Sequence, residues 1–242
     1  MRQGLGWQGL ANMQQFVSRG GVLVTVDNTT DFAIGYGLTN GVTANTASRS
    51  KVVGSFLRTN VVDGTSPIIY GSPDNLAVYS NDGGSFSISS SRGGGRGGRF
   101  GATPERATGR GTADDGDVVP GRAVLDSSNT ALPVETVQPW QAAPIMPDLL
   151  RNPLNVIPPD QRPRVALRFG DLRGLLASGL LEGGADIAQR PIVVDVPIQK
   201  GHLVLFANNP IWRGETIGSY FLVFNTVLNF DNLNAGRKLD PR

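Results

Sequence analysis

The residues of this 242-residue chain best equipped to bind or transform a ligand fall in two polar clusters. Asp27, Asn28 and Asp31 follow the apolar run Val22-Leu23-Val24-Thr25-Val26, and Asn208, Asn209, Trp212, Arg213 and Glu215 follow His202-Leu203-Val204-Leu205-Phe206-Ala207. Carboxylates, amides, a guanidinium and an indole in loops that leave strand ends are the groups of a binding pocket. If the two runs lie side by side and parallel, both clusters meet at one end of a sheet. The plainer account of the same residues is helix capping plus a salt bridge.

Catalytic groups are scarce. The one histidine, His202, opens a predicted strand, where a histidine is ordinarily a surface or cross-strand residue, and a general base needs a partner in reach. One imidazole with no thiolate is a poor ligand set for zinc. The absence of cysteine removes disulfides, thiolate metal sites and a cysteine nucleophile together. There is no Gly-x-Ser-x-Gly elbow, no Ser-x-x-Lys and no Gly-x-x-x-x-Gly-Lys phosphate loop. The run Gly93 to Gly98 lacks the strand before it and the helix after it that a phosphate loop requires.

Charge and length narrow the classes further. Charged residues make up 17% of the chain and the net formal charge is +2, so the whole-chain balance gives no reason to expect nucleic acid or a membrane surface as partner. The cluster Arg92, Arg96, Arg99 and Phe100 among glycines does resemble arginine–glycine segments that bind RNA by phosphate contact and stacking. It is short, and Asp114, Asp115 and Asp117 partly neutralise it, so a flexible, soluble insertion is the simpler reading. No run approaches the roughly 20 apolar residues of a membrane helix, and Met1-Arg2-Gln3-Gly4 has no apolar export core.

The elements that must position the two clusters follow from periodicity. Leu10, Met13, Phe16 and Val17 mark a helix over 9–19, stopped at Gly20-Gly21. Residues 22–26 read as a central strand covered on both faces, with a second helix after them that Asn28 to Thr30 could cap. Lys51 to Val62 and Leu76 to Tyr79 are predicted strands, and Phe86 to Ile88 a weaker one. Arg164 to Phe169 is a strand, followed by a short helix or turn over 172–181. Leu149 to Val156 carries at most a turn or two of helix. Ile192 to Ile198 and His202 to Ala207 form a hairpin. Ile217, Phe221, Phe224 and Leu228, thickened by Leu222 and Val223, predict an amphipathic helix laid on the sheet. Residues 1–88 and 164–232 therefore read as two parts of one α/β domain. Residues 89–163 are a disordered or irregular Gly/Arg- and Pro-rich insertion, disordered from Ser89 to Asp117, and 233–242 are a tail.

Those ordered parts resemble a known family. Leu5-Gly6, Gly9-Leu10, Phe16-Val17, Gly20 to Val24, Asp31 to Ile34, Gly54 to Arg58, Val193 to Pro197, Gly201 to Phe206 and Phe221 to Asn225 are similar, in order and spacing, to the C-terminal class I glutamine-amidotransferase-like domain of bacterial zinc carboxypeptidases. The resemblance implies a flavodoxin-like α/β fold: an open, mostly parallel sheet with helices on both faces, lacking its first strand or strands, so that Met1 would be an internal start. It implies that zinc belongs to an upstream peptidase domain of the parent and that this chain holds no cofactor. With the amidotransferase cysteine missing, it implies a non-catalytic accessory domain of a secreted or periplasmic family, with the peptidase domain or another protein as partner. Two alternatives stay open: a metallocarboxypeptidase by family whose catalytic domain is not in this chain, and a module binding a small ligand, a peptide or a carbohydrate, through the two loops.

Overall fold

A computed structural model describes residues 4–46, 49–91, 136–142, 144–145 and 151–239. One compact unit comprises residues 1–95 and 136–242; a second, 96–135, lies outside the described residues, as does the segment expected to be disordered from residue 92 onward. Ser91 bridges Val156, so the start of that expected insertion is paired.

The fold is mixed α/β around one seven-stranded sheet. Its backbone is the hairpin β10 (Pro191–Ile198) and β11 (Gly201–Phe206), whose apolar residues are buried on both faces of the strands. The turn between them is two residues long, with Gln199 at φ 55°. Gly201 is required there, because a Cβ would stand 2.1 Å from the Val17 carbonyl oxygen and 2.3 Å from that of Gly21. β1 (Val22–Val26) pairs β11 in parallel, Val26 opposite Phe206. On the other side β10 pairs β7 (Arg164–Phe169), β7 pairs β4 (Ser55–Val61), and β4 pairs β5 (Ala77–Ser80) and β8 (Leu176–Ser178). Two small ladders complete the strands: β2 (Val42–Asn45) with β6 (Ser85–Ile88), and β3 (Lys51–Val52) with β9 (Leu181–Glu182).

Two sequence expectations fail here. The sheet is not mostly parallel: β1–β11 is the one parallel ladder of the large sheet among the described residues, the two-residue turn makes β10 and β11 antiparallel, and β7, β4, β5 and β8 pair antiparallel as well. Nor is β1 central. It ends the strand order and is mostly half-buried, although its sequence is as apolar as an interior strand. Residues 172–181, expected as a short helix or turn, begin with the 3₁₀ turn Leu172–Gly174 and continue as β8. In the stretch expected to be irregular, Pro153–Asn155 makes a 3₁₀ turn and Val137 and Trp140 pack against the core.

Helix α1 (Gly6–Ser18) packs on β1 and β11, and α2 (Thr29–Gly35) on β1 and β2. α1 buries Val17 and half-buries Leu10 and Met13, but leaves Phe16 out. Helix α3 (Ile217–Leu228) departs furthest from its pattern. Its buried residues are Ser219, Leu222 and Thr226, while Ile217, Phe221, Phe224 and Leu228, the expected core stripe, face solvent. The reason lies in what α3 packs against, the 3₁₀ turn Pro67–Ile69 and β5. That turn presents backbone carbonyls, and Asn225 Nδ2 donates to the carbonyls of Ile68 and Tyr70 at 3.1 and 2.7 Å. The Ser219 hydroxyl donates to Pro210, and the Thr226 hydroxyl closes on Leu222 within the helix. A tight polar contact satisfies buried backbone groups that an aromatic face would have stranded.

Candidate functional site

The parallel pairing of β1 with β11 starts the two predicted loops side by side, with the Asp27 amide donating to the Phe206 carbonyl at 2.8 Å. They do not merge into one pocket. Asp27, Asn28 and Asp31 line a narrow recess of about 40 Å³ with Asp82, Ser85, Phe86 and Ala207. None of Asn208, Asn209, Trp212, Arg213 or Glu215 lines it. The recess is roughly the size of one or two waters.

Asp27 is held in a left-handed backbone conformation, φ 51°, by the start of α2. Capping there runs backwards from the usual pattern. Asn28 makes no side-chain cap; instead the Thr29 hydroxyl bonds the Val26 backbone at both its amide and its carbonyl, and the Thr30 hydroxyl donates to the Asp27 carbonyl. Burial, then the facing charge of Asp82 and that of Asp31, raise the Asp27 carboxyl above its ordinary range against a lowering hydrogen bond from the Asn28 amide.

In the second loop Trp212 stacks on Tyr79 with centroids 4.3 Å apart and planes 5° from parallel, and the Arg213 guanidinium carbon lies 4.7 Å from the indole centroid. Asn209 donates its amide to the Tyr79 carbonyl and accepts from the Ile211 amide. Glu215 is exposed and forms no ion pair with Arg213 among the described residues. Asn208 is fully buried, and neither of its side-chain polar atoms has a partner among the described residues. This cluster is therefore an aromatic clamp tying the β11 loop to β5, and its indole is already engaged.

A second polar site was not anticipated. Asp195, fully buried in β10, accepts from His202 Nδ1 at 2.7 Å on one oxygen and from Arg237 Nη2 at 2.8 Å on the other. The strand register puts these groups together: Asp195 is opposite Arg164 on β7, and His202 is opposite Pro197, two residues from Asp195 and on the same face. Arg164 Nε donates to Asp63 at 2.7 Å, its Nη2 to the Thr65 hydroxyl, and its Nη1 to the carbonyls of Leu233 and Ala235. Arg237 also donates to the Arg162 carbonyl. Two carboxylate–arginine pairs, one buried at Asp195 and one partly exposed at Asp63, thus fix residues 233–237, expected to be a tail, against the sheet, with Leu233 in the core. Burial lowers the Arg237 pKa, and Arg164 adds repulsion, against the attraction of Asp195. Burial acts to raise Asp63, but the hydrogen bonds from Arg164 and Thr65 outweigh it and hold its carboxyl below the usual range.

The sequence signal for this network was an ionisable residue inside each of three strands that otherwise read as buried: Arg164, Asp195 and His202. Buried ionisable residues are placed in pairs, so three in neighbouring strands announce one cluster. His202 has the carboxylate partner that acid–base work requires. No hydroxyl bonds its ring among the described residues, so the nucleophile of a hydrolytic triad is not assembled there. No group of three or more His, Cys, Asp or Glu among the described residues is placed to hold a metal ion.

Comparison with known proteins adds no further constraint: no family model, no curated protein and no solved structure matches the chain.

Proposed function

We propose that the chain is a non-catalytic accessory domain, similar in sequence to the amidotransferase-like domains, and that it docks the catalytic domain of a zinc-carboxypeptidase-like protein, helping to position substrate or to stabilise that domain. Zinc chemistry in this reading is the partner's. The observation that carries it is the outward apolar face of α3. Ile217, Phe221, Phe224, Val227 and Leu228 are each more than half exposed, and Phe230 extends the face past the helix end. Contiguous apolar surface of this kind marks a protein–protein contact, since covering one phenylalanine side chain is worth about 1.5–3 kcal/mol. The sequence resemblance supplies the identity of the partner.

The test is calorimetric titration of the chain with a separately produced catalytic domain from a bacterial zinc carboxypeptidase that carries such a C-terminal domain. Binding in the micromolar range or tighter is expected, about tenfold or more weaker for Phe221→Glu with Phe224→Glu. No binding by the unaltered chain sinks the reading. Robust peptidase or glutaminase turnover by the chain alone with zinc supplied, lost when His202 is changed, would equally overturn it.

A further inference from the structure

We infer a binding site for a small organic anion, a carboxylate or phosphate monoester carrying an apolar group, in the cavity beside the buried arginine network. The cavity measures about 220 Å³, room for a ligand the size of an amino acid rather than a water. Its lining mixes two chemistries. Trp140, Val62, Ile88 and Val165 are apolar. Arg162, Arg164, Arg237 and Lys238 are cationic, and the one lining carboxylate, Asp63, is held by Arg164.

The charges around it do not cancel. Both carboxylates of the network are saturated, Asp63 by Arg164 and Thr65, and Asp195 by His202 and Arg237. They neutralise Arg164 and Arg237. Arg162 and Lys238 are left without a carboxylate partner among the described residues, and Arg162 spends only its Nε, on the Ile157 carbonyl at 3.2 Å. Among the described residues, the two terminal nitrogens of Arg162 and the Lys238 ammonium therefore have no partner, and both side chains line this half-apolar cavity. The Arg237 guanidinium already lies beside Arg164, so an incoming anion relieves repulsion as well as gaining hydrogen bonds. The indole of Trp140, half-buried against the core, offers a fixed surface for a ring or alkyl group of the ligand. Neither Arg162 nor Lys238 belongs to the α3 face, so this inference stands or falls apart from the docking reading.

Calorimetry with four probes tests it: N-acetylphenylalanine, its neutral amide, phenyl phosphate and inorganic phosphate. At least one of the two organic anions is expected to bind with a dissociation constant below about 1 mM, and which of them binds tighter assigns the head group. The amide and inorganic phosphate should be at least about tenfold weaker. Lys238→Ala, at an exposed position without a described partner, and Arg162→Ala should each weaken the favoured anion several-fold with the circular dichroism spectrum unchanged. Trp140→Ala should weaken phenyl phosphate toward the level of inorganic phosphate. No binding of either organic anion at about 10 mM overturns the inference, as does equal binding of the amide. Inorganic phosphate binding as tightly as phenyl phosphate removes the apolar lining from the site. Undiminished binding by Lys238→Ala, with or without Arg162→Ala, places the ligand elsewhere and also overturns it.

Discussion

Asp27 and Asp195 are both aspartates on the main sheet, and the fold treats their charges in opposite ways. Asp195 is fully buried in the middle of a strand, with a cation on one oxygen and an imidazole on the other. Asp27 sits at a strand end, half-exposed, and the groups that face it are Asp82 and Asp31. The buried carboxylate is the satisfied one, and the accessible one carries the repulsion. That ordering follows from desolvation. An unpaired carboxylate cannot be afforded inside, whereas water screens one at the edge and leaves only a raised pKa. The interior site is therefore architecture and the edge site is adjustable.

Removing Asp195 breaks the comparison at its stronger end. Asp195→Ala leaves Arg237 and the ring of His202 buried without their carboxylate, and the loss of one partner of a buried pair costs about 3–5 kcal/mol. Residues 233–237 should come away from the sheet with it, since Arg237 is anchored there by Asp195 and the Arg162 carbonyl. Urea unfolding should show the midpoint fall, and amide hydrogen exchange should show Leu233 to Arg237 lose protection first. A variant as stable as the parent would mean that the network adds nothing to the fold.

Asp63 gives a smaller effect with a defined pH signature. Its carboxyl is held below the ordinary range in the folded chain, so the unfolded chain binds the proton more readily. The stabilisation is then fully present above the unfolded value near 4 and is lost as pH falls through the lower folded value. Asp63→Asn keeps an acceptor for Thr65 but removes the charge facing Arg164. It should cost about 2 kcal/mol at neutral pH, and the gap to the parent should close as the pH falls through the depressed folded value. A gap that stays constant over that range would show that hydrogen-bond geometry, not charge, makes the contribution.

The same contrast explains what was legible in the sequence. Strand and helix positions came through wherever composition alone decides them: β7, β10, β11, α1 and α3 lie where periodicity put them, and β1 does pair β11 in parallel. Features set by partners distant in the chain did not come through. The apolar run of β1 reads the same in the centre of a sheet as at its edge. The stripe Ile217, Phe221, Phe224 and Leu228 is a valid amphipathic pattern, but the helix turned its Ser219, Leu222 and Thr226 side inward, with Asn225 donating to the Ile68 and Tyr70 carbonyls at the Pro67–Ile69 turn. Asp63 and Arg164 lie about 100 residues apart in sequence, as does Arg164 from Thr65, so no local window contains the pair. The predicted loop residues did reach one end of the sheet, yet Trp212 was spent on Tyr79, a partner that only the tertiary fold supplies.

The weakest and most discriminating test lies at the edge site. Asp82→Asn removes the facing charge while its side-chain oxygen still accepts from the Gly84 amide, as Asp82 does at 3.0 Å. Asp27 is raised by burial first and by Asp82 second, so the substitution should lower its titration midpoint partway toward the ordinary carboxylate value without restoring it, as read by carbon-detected NMR of the carboxyl. The sign for stability follows. A carboxyl whose folded pKa is raised favours the folded chain below the unfolded value and loses that advantage as pH rises through the folded one. Relieving the repulsion should therefore stabilise the variant at neutral pH, by less than about 1 kcal/mol at so exposed a site, and leave it unchanged below about pH 3. An Asp27 midpoint that does not move would assign the whole shift to burial. The contrast with Asp195 would then be one of solvent exposure alone and not of charge arrangement.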